Sequence, residues 1–266
     1  MKSHCWLFLV AVTTCSAQTF TNTFDSYPPL GGADPGGSSP GLWYVDRFAP
    51  ATFGSAYFLG DNRLSVGVSA ADYHGGTFYD TQGRKYYLTN SGVGSSVSAQ
   101  LYIPSAWASM NVGPSLWLTA YDINSQPSGY PIVGFYSDGT GDSYFRVWDD
   151  ISGYVNLNTP IDWNSWNTFS INFTTAGFVY AINGVDVFTD IGAVGSVSIA
   201  NVMFQDKNYG TSYNAYWDNL ITPSSTDPYA PIPVPEPSSA GLLSLGGALI
   251  WGMQKLRRAR QVAIRI

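Results

Sequence analysis

The sequence predicts an all-β, antiparallel β-sandwich with a membrane-directed segment at each end. Three observations predict it. No stretch of the body sustains the 3.6-residue apolar rhythm of a long helix. Short alternating runs recur instead, bounded by Gly, Asn, Asp and Pro. Asn183-Gly184 stands between two such runs, and that dipeptide suits a type I′ hairpin because both turn residues need positive φ. Roughly a dozen strands between Phe20 and Thr222 meet these criteria. Strands without intervening helices imply antiparallel sheets, as a sandwich or a closed barrel.

The elements follow in order. Residues 1–17 read as a secretory signal: Met1-Lys2, an apolar stretch from Trp6 to Val12, then small residues, with cleavage between Ala17 and Gln18. Both cysteines, Cys5 and Cys15, fall inside it. The mature chain therefore has no disulfide and depends on core burial. Residues 18–221 form the predicted sandwich domain. Pro28 to Gly41 is a Gly/Pro-rich loop, and YFLGDNRLSVGV a hairpin turning near Gly60-Asp61-Asn62. Val97, Ala99, Leu101 and Ile103 alternate toward the core, as do Phe169, Ile171 and Phe173. Residues 222–237 are a proline-rich linker, 238–254 a single transmembrane helix, and 255–266 a basic cytoplasmic tail.

Charge divides sharply along the chain. Of 12 Lys and Arg, five lie in the tail and Lys2 in the signal. The body keeps Arg47, Arg63, Arg84, Lys85, Arg146 and Lys207 against all 17 aspartates. Nucleic acid is excluded as a partner, because phosphate binding needs clustered cations. The body has one histidine, His74, in a polar loop, and no cysteine, so a zinc site of the usual kind is excluded. Calcium is the one metal whose ligand types are plentiful, with Asp138 and Asp142 in SDGTGD as candidate ligands; no other cofactor is expected. Asp149-Asp150 read as turn residues before Ile151-Ser152-Gly153. Most of the seven body tryptophans read as core, and Trp163 is the candidate sugar contact.

Two resemblances add to this. Trp166 to Phe188 and Tyr213 to Thr222 resemble the concanavalin-like jelly roll, which includes legume lectins and laminarinase-type glucanases. Those glucanases use two glutamates in an E-x-D-x-x-E strand, and this body contains no glutamate. At the other end Val234-Pro235-Glu236-Pro237, an apolar run, and Lys255, Arg257, Arg258 and Arg260 closely resemble the PEP-CTERM sorting signal. That resemblance implies an exosortase partner, transient residence in the inner membrane of a Gram-negative bacterium, and delivery to the surface or extracellular matrix, often beside exopolysaccharide. The extension Gln261 to Ile266 departs from the family pattern.

The expectation from sequence is an exported, non-catalytic surface or matrix protein with a carbohydrate-binding or structural role, and not an enzyme. The alternative is a divergent polysaccharide-active enzyme using Asp carboxylates.

Overall fold

The computed structural model describes residues 19–34, 41–75, 80–89 and 91–223. Seventeen strands form among them: β1 (Thr19–Asn22), β2 (Leu30–Ala33), β3 (Trp43–Arg47), β4 (Thr52–Phe58), β5 (Asp61–Val68), β6 (Thr81–Tyr87), β7 (Ser96–Ile103), β8 (Asn111–Tyr121), β9 (Pro127–Gly129), β10 (Ile132–Asp138), β11 (Ser143–Asp149), β12 (Gly153–Leu157), β13 (Ser165–Thr174), β14 (Gly177–Ile182), β15 (Val185–Asp190), β16 (Ser198–Lys207) and β17 (Tyr213–Pro223). Two 3₁₀ turns, Ala70–Asp72 and Ser105–Ser109, are the helical elements of this region.

The strands build two sheets. The eight-stranded sheet runs β15-β14-β13-β7-β17-β5-β4, with β1 on β17. The nine-stranded sheet runs β12-β11-β10-β8-β16-β6-β3-β2, with β9 on β8. Pairing is antiparallel except between β2 and β3. The inner faces meet in one core, from Val97, Leu101, Phe169 and Trp217 on one sheet to Leu116, Phe135, Phe145 and Phe204 on the other.

Period-2 alternation decides which side chains enter it. In β7, Val97, Ala99, Leu101 and Ile103 are all fully buried, and Ser98, Gln100 and Tyr102 are not. Phe169, Ile171 and Phe173 likewise point inward. The β14–β15 turn is Asn183 (φ 49°) and Gly184 (φ 80°), as the Asn-Gly signal predicts. Gly184→Val is expected to lower stability by about 1–2 kcal/mol in urea unfolding, because a side chain at that φ crowds the following carbonyl. The β4–β5 turn falls one residue earlier than the sequence suggests, at Leu59-Gly60. Phe58 pairs directly with Asp61, which leaves a two-residue loop.

The segments read as the signal (1–17), most of the linker, the transmembrane helix (238–254) and the basic tail (255–266) lie outside the described residues. Among the described residues, no helix is long and apolar enough to cross a membrane.

Candidate functional site

The outer face of the nine-stranded sheet carries the concentration of chemistry. Strand register places Arg146, Gly134, Ser115, Gln205, Gly83 and Asp46 opposite one another on β11, β10, β8, β16, β6 and β3. This row crosses six strands, so it spans about 24 Å at the usual inter-strand spacing. Gly134, Ser115 and Gly83 keep parts of it low, while the Gln205 side chain lies over Gly83. A Cβ on Gly134 would stand 2.6 Å from the Ser115 Cβ and 2.7 Å from the Pro114 carbonyl.

Larger side chains flank the low line. On one side Ile132 faces Trp117, and Trp117 faces Met203, making a small apolar cluster against which Trp148 and Tyr154 pack. On the other side stand Tyr136, Tyr144, Lys207 and Tyr209. The Arg146 guanidinium lies 4.5 Å from the Tyr136 ring centre and 4.2 Å from that of Tyr154. The floor is buried and the rim, including Tyr136, Tyr144, Arg146, Trp148 and Tyr154, is half-exposed. Aromatic rings interleaved with polar and charged groups suit a sugar chain, whose apolar faces stack and whose hydroxyls hydrogen-bond.

Carboxylates stand at the Asp46 end of the row. Lys85 Nζ contacts Asp34 Oδ2 at 2.8 Å and Asp46 Oδ1 at 2.7 Å. Those two oxygens are therefore no more than 5.5 Å apart, the sum of the two contacts. Tyr87 Oη donates to Asp34 Oδ1 at 2.7 Å, and Gln205 Nε2 donates to Asp46 Oδ2 at 2.5 Å. Burial opposes the Lys85 charge, but the hydrogen bonds to Asp34 and Asp46 outweigh it and hold the ammonium above its usual range.

A second carboxylate group sits at the end of β11. Asp149 accepts from the Ile151 and Ser152 amides and from the Ser152 hydroxyl, and these bonds, the hydroxyl first, lower its pKa. Asp150 accepts from Trp148 Nε1 at 2.9 Å. Asp190 is fully buried, and that burial raises its pKa to about 6. The turn reading of Asp149-Asp150 describes Asp149 well. It misses that the fold brings both aspartates to Asp190.

The residues singled out from sequence fall elsewhere. Trp163 is half-buried, packed on the core and edge-on to Phe135 at 5.8 Å. Asp138 accepts from the Thr140 amide and hydroxyl and from the Asp142 amide, closing the β10–β11 turn with its own residues. Among the described residues, no three His, Cys, Asp or Glu side chains gather to hold a metal ion. The sorting motif Val234, Pro235, Glu236 and Pro237, the basic residues Lys255, Arg257, Arg258 and Arg260, and the Ala17-Gln18 junction lie outside the described residues. Trp117 is buried as expected of core, but on the outer face, with the Arg47 guanidinium 6.0 Å from its ring centre.

The two-sheet architecture has solved counterparts. A non-specific endo-β-1,3(4)-glucanase of glycoside hydrolase family 16 matches with a TM-score of 0.50 and 9% identity, over 80% of this chain and 94% of its own. The fold is the concanavalin-like jelly roll. A structure from work on endo-acting O-glycanases of the human gut microbiota, which initiate mucin breakdown, matches at 0.51 and 11% identity, over 77% and 99%. A family-16 enzyme from a Bacteroides ovatus mixed-linkage-glucan locus matches at 0.46 and 10% identity, over 76% and 98%. No protein-family model and no curated protein matches the chain.

These findings correct two expectations, that the protein is non-catalytic and that it is not an enzyme. Both rested on the missing glutamates and on the lack of any visible carboxylate pair. One solved structure that shares the jelly roll is an endo-glucanase, and another comes from work on endo-acting O-glycanases. The fold also brings Asp34 and Asp46 onto one lysine. Sequence reading missed Asp34, Asp46, Lys85 and Arg146. The alternation of Tyr144, Arg146 and Trp148 in SYFRVWD was the available signal of a functional outer face.

Proposed function

We propose that the chain is a polysaccharide-active enzyme that takes a glycan across the nine-stranded sheet and works with Asp46 and Asp34. The observation that carries the proposal is the spacing of the two carboxylates, no more than 5.5 Å by their contacts with Lys85. Retaining glycoside hydrolases hold their pair about 5–5.5 Å apart. The jelly-roll likeness to a family-16 glucanase agrees with this substrate class.

The roles divide by surroundings. Asp46, between the donors Lys85 and Gln205, suits the anion that attacks the anomeric carbon as the glycosidic bond breaks. Asp34 is left as the acid that passes a proton to the departing oxygen; because the Tyr87 hydroxyl and the Lys85 ammonium both favour its anion, it takes up that proton only when Lys85 turns to Asp46. Lys85 then stays with Asp46 when Asp34 carries its proton. Water reverses the two steps to release the sugar. Incubation of the full chain with β-1,3-glucan, mixed-linkage β-glucan and mucin O-glycans is the direct test. Release of new reducing ends from at least one is expected, and release from none contradicts the proposal.

Delivery belongs to the same proposal. The signal at 1–17 exports the chain, the apolar segment 238–254 holds it briefly in the inner membrane, and an exosortase trims it at Val234 to Pro237 for release to the surface or matrix. In a strain with an exosortase, Glu236→Ala is expected to leave the untrimmed mass in the membrane fraction. Unchanged mass and location would remove the sorting step.

A further inference from the structure

The flank of the row that carries Lys207 and Tyr209 has the opposite electrostatic character to its Asp46 end. Register sets Lys207 opposite Gly113 on neighbouring strands, and Arg146 reaches the same spot from β11. A Cβ on Gly113 would lie 3.1 Å from Lys207 Cβ, 3.1 Å from the Tyr209 ring and 3.3 Å from Arg146 Nη2. The Lys207 stem, the Tyr209 ring and the Arg146 guanidinium thus pack together over Gly113, which has no side chain.

Neither makes an ion pair with a carboxylate among the described residues. Arg146 donates only to the Tyr209 hydroxyl, at 3.3 Å, and otherwise rests on aromatic rings. Lys207 is 8% exposed, and its Nζ is buried without a hydrogen-bond acceptor, 5.7 Å from the Tyr209 ring centre. A buried ammonium without an acceptor is costly. Burial lowers its pKa, the field of Asp80 opposes that, and Arg146 adds to it. Two cations beside one tyrosine, neither with a carboxylate partner among the described residues, are notable in a body with six basic residues and 17 aspartates.

We infer that Arg146, Lys207 and Tyr209 form a subsite for an anionic substituent, a carboxylate or sulfate ester, on the glycan. This rests on the glycan-site reading above and adds the substrate class: a charged rather than a neutral polysaccharide. Arg146 offers a planar donor fork, Lys207 a point charge and Tyr209 a hydroxyl, the donor set that an oxyanion needs.

The experiment is affinity electrophoresis of the full chain in gels of mixed-linkage β-glucan, its carboxymethyl derivative and its sulfated derivative. The backbone is common, so charge is the only variable. At least one charged derivative is expected to retard the chain about tenfold more strongly than the neutral polymer, as a hydrogen bond to a charged group supplies. The charged-to-neutral ratio should fall to about one in Lys207→Met and in Arg146→Gln, and survive in Arg63→Gln, which removes a cation from the other sheet. Melting curves check folding, and if Lys207→Met does not fold, Arg146→Gln decides alone. Equal retardation by all three polymers removes the subsite and leaves the glycan site. Retardation by none removes both. Competition by inorganic sulfate without any glycan preference overturns the glycan assignment in favour of a free-anion site.

Discussion

Replacing Asp206 by valine is expected to stabilise the sandwich at pH 7, by more than the ~1–3 kcal/mol that an unpaired buried polar group costs, and by less at pH 4. Asp206 lies on β16 between Gln205 and Lys207, and alternation turns it inward with Val202 and Phe204. It is fully buried, and neither carboxylate oxygen has a hydrogen-bond partner. Burial alone pushes its pKa well above the ordinary value of 3.8. The folded state therefore keeps a proton that the unfolded chain releases. Below the unfolded value both states are protonated and the carboxyl exacts no pH-linked cost. As pH rises above it, stability is lost at about 1.4 kcal/mol per unit until the folded pKa is reached. Valine removes the proton linkage and the unpaired oxygens, and it fits an inward strand position. Urea unfolding of both proteins at the two pH values measures it. A stabilisation independent of pH would contradict a protonated Asp206. Nothing in the fold explains why aspartate occupies this position.

Asp46→Asn is expected to reduce glycan cleavage by about 100-fold or more, the range typical of a lost acid–base or nucleophilic partner. Asparagine keeps the shape and still accepts from Gln205 Nε2, but it cannot carry the negative charge that attack requires. It also removes one of two carboxylates from Lys85, while the ion pair with Asp34 remains to hold the lysine. Melting temperature is expected to fall only modestly, because Lys85 keeps its contact with Asp34 and asparagine keeps the Gln205 hydrogen bond. Activity lost together with folding would instead assign Asp46 a structural role.

The parts of the fold legible in the sequence are those set by local rules. Val97 to Ile103 and Phe169 to Phe173 show their buried faces through alternation, and Asn183-Gly184 shows its turn through φ. The hairpin at Leu59-Gly60 was harder, because Leu59 adopts a positive φ that no local preference signals. The carboxylate pair was not legible at all. Asp34 lies in a Gly/Pro-rich stretch and Asp46 at the end of a strand. They meet only because β3 pairs with β6 and so sets Tyr44 beside Lys85. Asp190 is likewise far in sequence from Asp149 and Asp150, and the bond from the Asp150 amide to Asp190 appears only when the two sheets close. Trp117 shows the converse problem. A buried tryptophan on an alternating strand suggests core, yet its ring lies on the outer face against Ile132 and Met203.

The measurement that bears most directly on the proposed function is reducing-end release by the full chain and by Asp46→Asn, side by side, on β-1,3-glucan, mixed-linkage β-glucan and mucin O-glycans. Release by the wild-type chain from at least one, lost in a folded Asp46→Asn variant, is the expected result. Undiminished release by that variant would contradict the role given to Asp46, and no release by either protein would contradict the enzyme itself.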